Sequence, residues 1–217
     1  MVSLSNQAGR NNRRMTRIRP IFMIFCLVAA VFALSSCYVP ARFYGEIELS
    51  RNGYYKMDFE GYVVDAQFYR DLRENKLSAE EIEARKNSVI NDFKRDSSTK
   101  EISYYGQGAF KVKWVKSGDI LKARMVTFFQ RNEDMLSIAF VRDKGIITIR
   151  GRGLGKAQAD QLAKIGLNTE GDLVVRTDAR VISQNATKSE KDGLVTVYSW
   201  KVKSVYDPAP KLVATLR

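Results

Sequence analysis

The chain has 217 residues, 45% apolar and 28% charged, a composition that supports a buried core and excludes a disordered, collagenous or disulfide-built protein. It contains no histidine and only two cysteines, which removes imidazole chemistry and metal sites built on His or Cys clusters. The formal charge is +12, but Arg10, Arg13, Arg14, Arg17 and Arg19 precede residue 37 with no acid among them. The rest of the chain then carries 31 basic and 24 acidic residues, too even a balance to imply a nucleic-acid partner.

The amino terminus reads as a targeting segment. Ile21 to Leu34 are fourteen consecutive apolar residues, preceded by the arginines and followed by Ser35, Ser36 and Cys37. Fourteen residues span about 21 Å as a helix, short of the roughly 30 Å hydrocarbon core, which favours a signal peptide over a membrane-spanning helix. Arg13-Arg14 lacks the hydrophobes of a twin-arginine signal, because Thr16 and Arg17 follow. The run Leu34-Ser35-Ser36-Cys37 resembles the bacterial lipobox, which implies cleavage before Cys37 and acylation of its thiol. The expectation is a signal peptide over 1–36, a lipidated tether over 37–42 and one domain over 43–217, with translation starting at Met1 or Met15. Loss of Cys26 with the signal would leave no disulfide, and acyl chains on Cys37 would tether the chain to a membrane without spanning it. Tyr38, rather than an acid, after the cysteine points by analogy to the outer membrane, facing the periplasm, in a Gram-negative cell.

Beyond the tether, Phe43 to Leu49 alternate, Arg51-Asn52-Gly53 supplies a turn, and Tyr54 to Val64 returns, a hairpin signature. Val64, Phe68 and Leu72 then fall four apart, and Ser78 with Glu81 forms a capping box, predicting helices over 65–75 and 79–96. Strands are expected over 102–105, 110–115, 120–130, 135–142 and 146–150, joined by antiparallel turns at Ser117-Gly118-Asp119, Asn132-Glu133-Asp134 and Lys144-Gly145. A third helix over 156–165 precedes strands over 172–182, 194–202 and 211–216. The fold class is α+β: a mainly antiparallel sheet or curved half-barrel, with two consecutive helices after the first hairpin and a third before the last strands. Phe110, Val112, Trp114, Leu136, Ile138, Phe140 and Trp200 are expected in the core.

Several strands carry cations opposite their apolar face. Lys111 and Lys113 alternate with Phe110, Val112 and Trp114, and Lys122 and Arg124 alternate with Leu121, Ala123 and Met125. Arg150 and, beyond the strand, Arg152 follow Ile147 and Ile149; Arg176, Arg180, Lys201 and Lys203 extend the pattern. These cations either solvate the outer face of a half-buried sheet or form an anion-binding face of Lys111, Lys113, Lys122, Arg124, Arg150 and Arg152.

Catalytic signals are weak. Gly151-Arg152-Gly153-Leu154-Gly155-Lys156 has Lys where a dinucleotide motif needs Gly, and Ala157 where a P-loop needs Ser or Thr. It reads as a turn opening a helix, with a generic anion site at the helix start as the alternative. Asp71 with Glu74, and Glu80 with Glu81 and Glu83, suit a solvated helix face, and no Ser-x-x-Lys stands in a catalytic setting. No cofactor, metal or catalytic residue is assigned.

The run from Asp172 to Asn185, a polar loop, and Gly193 to Trp200 resemble the closing hairpin of LppM-type bacterial lipoproteins. Val181, Asn185, Thr196, Val197 and Trp200 stand at the matching positions. Thr177-Asp178-Ala179 replaces the Phe-Pro-Gly of that pattern, no glycine follows Asn185, and one extra residue separates Val197 from Trp200. The resemblance implies an envelope lipoprotein with a compact α+β domain that contacts lipid or glycolipid and has no established catalytic residues. The sequence reading is therefore a non-enzymatic, lipid-anchored envelope protein that binds a component such as anionic lipid or glycolipid. The alternative is a structural or assembly lipoprotein docked on a partner protein.

Overall fold

The computed structural model describes residues 38–128, 135–151 and 153–216. The expected signal peptide, Cys37, Arg152 and the turn at Asn132 to Asp134 lie outside the described residues. Those that are described belong to a compact unit that begins at Ser36. They form twelve strands and four α-helices.

The hairpin forms as its turn residues dictate. β1 (Tyr38–Leu49) and β2 (Tyr54–Asp65) run antiparallel, and Gly53 takes a positive φ of 90°, which a side chain would resist. At the end of β2, Asp65 accepts hydrogen bonds from the amides of Gln67 and Phe68 and starts α1 (Ala66–Arg73). Helix α2 (Ala79–Lys94) opens with the expected box: the Ser78 amide donates to Glu81 at 2.8 Å and the Glu81 amide to Ser78 Oγ at 3.2 Å. β3 (Thr99–Gly106) and β4 (Ala109–Asp119) follow.

The expected strand over 120–130 is corrected. Asp119 accepts from the Leu121 amide at 2.8 Å and starts a single turn, α3 (Ile120–Ala123), and Arg124 then takes a φ of 63°. Among the described residues of that stretch, only β5 (Met125–Thr127) remains a strand. β6 (Leu136–Val141), β7 (Ile146–Gly151) and α4 (Lys156–Lys164) come next. The strand expected over 172–182 is broken into β8 (Glu170–Thr177) and β9 (Arg180–Gln184), which enter different sheets. β10 (Lys188–Asp192), which has no apolar residue, pairs with β11 (Val195–Val202), and β12 (Lys211–Thr215) closes the chain.

The strands form a seven-stranded sheet, β10-β11-β8-β1-β2-β4-β3, and a five-stranded sheet, β5-β6-β7-β12-β9, neither closed into a barrel. Every pairing is antiparallel except β1 with β8. The α+β class, mostly antiparallel and curved, is as expected. One apolar core joins Ile47, Met57, Trp114, Leu173 and Trp200 of the large sheet to Ile138, Ile149 and Leu212 of the small sheet, with Phe68, Val89 and Phe93 from α1 and α2. Of the seven expected core residues, Phe110, Val112, Trp114, Ile138 and Trp200 are buried, and Leu136 and Phe140 are partly buried against them. A second cluster, Val39, Val64, Ala159, Leu162, Leu167 and Val205, packs α4 against the start of β1. No helix among the described residues is long and apolar enough to cross a membrane.

Candidate functional site: an apolar cleft beside the first described residues

The inward face of β1 carries Phe43, Gly45 and Ile47, and β2 and β8 contribute Met57, Phe59 and Leu173 beside them. Phe128, after β5, packs its ring 4.3 Å from that of Phe59, while Phe43 stacks on Phe59 at 6.0 Å. Between these residues, Met135, Leu136, Leu154 and the connector from β11 to β12 lies a cleft of about 120 Å³. Gly45, also in the lining, makes room for Leu173: a Cβ there would stand 3.2 Å from Leu173 Cδ1. Tyr38, Val39 and Pro40 complete the lining, so the cleft borders the first described residues of the chain.

The connector wall is held by polar side chains that do not point to chemistry. Asp207 Oδ2 accepts from the amides of Lys203 at 2.6 Å and Ser204 at 3.2 Å, ahead of Pro208 and Pro210. Asn168 donates to the Lys203 carbonyl at 3.0 Å and accepts from the Val205 amide at 3.2 Å. Asn185 donates to the Ala209 carbonyl at 2.9 Å, and its Oδ1 accepts from the Lys211 amide at 2.7 Å and the Trp200 indole at 2.8 Å. Asn185 and Trp200, two of the positions that carry the LppM-type resemblance, therefore fix the wall of the cleft. The remaining acid in the lining, Asp58, is ion-paired with Lys56 at 2.7 Å.

A second groove at the same end of the large sheet shares Phe43 and Val202 with the cleft and is lined by Arg42, Lys201 and Lys203 along with Glu170 and Asp172. Lys201 is paired with Asp172 at 3.5 Å, and Glu170 accepts from Asn168 at 3.2 Å. Arg42 and Lys203 form no ion pair among the described residues. Sequence reasoning assigned Lys201 and Lys203 only to a general basic pattern and overlooked Arg42; its position two residues beyond Pro40 on an alternating strand was the available signal.

Of the six cations expected on one face, the five that are described do not share one sheet face. Lys111 and Lys113 stand on the outer face of β4, where Lys113 is in register with Glu60 on one side and Glu101 on the other. Lys122, its side chain 87% exposed, belongs to the α3 turn and lies 4.0 Å from Asp119; Arg124, at positive φ, ends that turn. Arg150 is on β7 of the small sheet, in register with Ser137 and Lys211. Period-two alternation placed cations correctly within β4 and β7, but it contains no sheet order, and the α3 turn removes it for Lys122 and Arg124. Among the described residues no three His, Cys, Asp or Glu side chains are grouped to hold a metal ion.

No family model matches the sequence, and no curated protein matches it. Among solved structures, the folded domain of the Mycobacterium tuberculosis LppM protein is similar with a TM-score of 0.44 and 14% identity, over 84% of this chain and 94% of that one. An M1 zinc metallopeptidase from Deinococcus radiodurans gives 0.33 at 8% identity, over 82% of this chain and 42% of that one.

Proposed function

We propose that the protein is a lipid-anchored envelope lipoprotein whose domain binds an anionic lipid or glycolipid at the cleft and its cationic groove, without catalysing a reaction. The observation that carries this reading is the position of the cleft: its lining includes Tyr38, Val39 and Pro40, the residues that directly follow the lipobox cysteine. An acyl tether at Cys37 holds that opening at a membrane surface, where effective concentration is high and weak contacts suffice. The apolar lining suits part of an acyl chain, and Arg42 and Lys203 suit an anionic head group, each cation near an anionic surface contributing roughly 1 kcal/mol. The acids of the site are engaged in turns and ion pairs rather than presented as an acid and base pair.

The test is native mass spectrometry of the intact protein purified in mild detergent from its membrane. The expected result is a mature chain beginning at acylated Cys37 that retains a lipid of stoichiometric mass. A chain with unmodified Cys37 overturns the lipoprotein reading, and a stoichiometric partner protein with no lipid overturns the ligand reading in favour of docking.

A further inference from the structure

We infer that, in the acylated protein, the cleft between the two sheets is an intramolecular site for one of the acyl chains carried by Cys37. The inference rests on the lipoprotein reading above, because it needs an acylated cysteine, and it goes beyond it by assigning the resting occupant of the cleft. Tyr38 follows Cys37 in the chain, so a chain attached to Cys37 starts one residue from a cleft wall. The successive residues Tyr38, Val39 and Pro40 all line the cleft. A dry cavity of about 150 Å³ accepts one benzene-sized group. At about 120 Å³ this cleft takes part of a single chain and leaves any others in the bilayer.

The chemistry of the lining is that of a hydrocarbon site. Phe43, Phe59, Phe128, Leu136 and Leu173 offer apolar surface. Moving methylenes from bilayer to cleft exchanges one apolar surrounding for another, so the two places compete on nearly equal terms, and attachment at Cys37 makes filling of the cleft intramolecular, which favours the protein's own chain over a free lipid. A foreign lipid then enters by displacing the protein's own chain. Occupancy by that chain also fixes the domain against the membrane, because the filled cleft and the inserted chains share one attachment point.

Methionine methyl NMR tests this on the lipidated protein in deuterated detergent, in a sample whose native mass shows acylated Cys37 and no bound lipid. Met57 and Met135 line the cleft, whereas Met125, 58% exposed on β5, does not and serves as the internal control. The expected result is nuclear Overhauser contacts from acyl methylenes to the methyls of Met57 and Met135 and none to Met125. Leu136→Trp, which fills the cleft, should remove both contacts while leaving the Met125 resonance in place. Absence of the contacts in the wild-type acylated protein overturns the inference and leaves the lipoprotein reading standing. A sample in which Cys37 carries no acyl chain fails the earlier reading instead.

Discussion

Asp65 is fully buried and ionisable, and its two oxygens divide the work that makes this tolerable. Oδ1 accepts from the amides of Gln67 and Phe68, capping α1, and Oδ2 receives both Nε and Nη2 of Arg85 at 3.2 and 2.8 Å. Breaking a fully buried pair costs about 3 to 5 kcal/mol, but the Arg85 side chain is 39% exposed and water replaces part of the loss. Arg85→Ala should therefore lower stability by about 2 kcal/mol, measured by urea unfolding; no change would mean that the caps alone satisfy Asp65. The Asp96 carboxyl, pushed up by burial but pulled down further by the Trp114 indole at 2.9 Å and by the Ser98 amide, ends below the usual carboxylate range. A depressed folded-state value stabilises above the unfolded pKa of about 3.9, and that contribution fades as pH falls through the folded value. Stability should thus drop below about pH 4, and Asp96→Asn should flatten the drop. Trp114 is fully buried, and Trp114→Ala should cost about 3 to 5 kcal/mol in the same assay. Asn185→Ala frees the connector wall and strands the Trp200 indole; because Asn185 is exposed, a loss of about 1 kcal/mol is expected, with faster amide exchange at Lys211 as the local readout.

At the scale of elements, what was legible in the sequence was whatever short-range chemistry decides. Asn52-Gly53 announced the hairpin, Ser78 with Glu81 announced α2, and alternation of Phe110, Val112 and Trp114 announced the buried face of β4. Other elements depend on partners far away in the chain. Lys188 to Asp192 has no alternation to read, and β10 exists because its backbone pairs with β11 at the sheet edge, where a charged strand resists further pairing. Asp178, whose carboxylate accepts from the Arg51 amide at 2.7 Å, and Ala179, buried at 8% exposure, turn the chain from one sheet to the other within what reads as one continuous strand. The cleft was not legible as such, since its walls come from β1, β2, β8, the end of β5 and the connector. Close approach is visible at Phe43, which is in register with Gly61 of β2 and Gly171 of β8. A Cβ at Gly61 would lie 2.3 Å from the Arg42 carbonyl oxygen. Gly61→Ala should therefore cost about 1 to 3 kcal/mol through backbone displacement, with thermal unfolding as the check.

For the whole molecule, the parallel pairing of β1 with β8 sets Arg42 against Glu170, so the centre of the large sheet joins segments from opposite ends of the domain. The β1, β2, β4 and β3 portion needs only nearby sequence, whereas β8, β11 and β10 add to the far side of β1. Chains are synthesised at roughly 5 to 20 residues per second, so β1 waits on the order of ten seconds with its β8 edge unpaired. During that interval an apolar floor that includes Phe43, Ile47 and Met57 has no small sheet over it. The order of the strands thus makes the young polypeptide adhesive along the very face that later becomes its cleft, and gives the cell a reason to keep the chain unfolded until its last third has emerged.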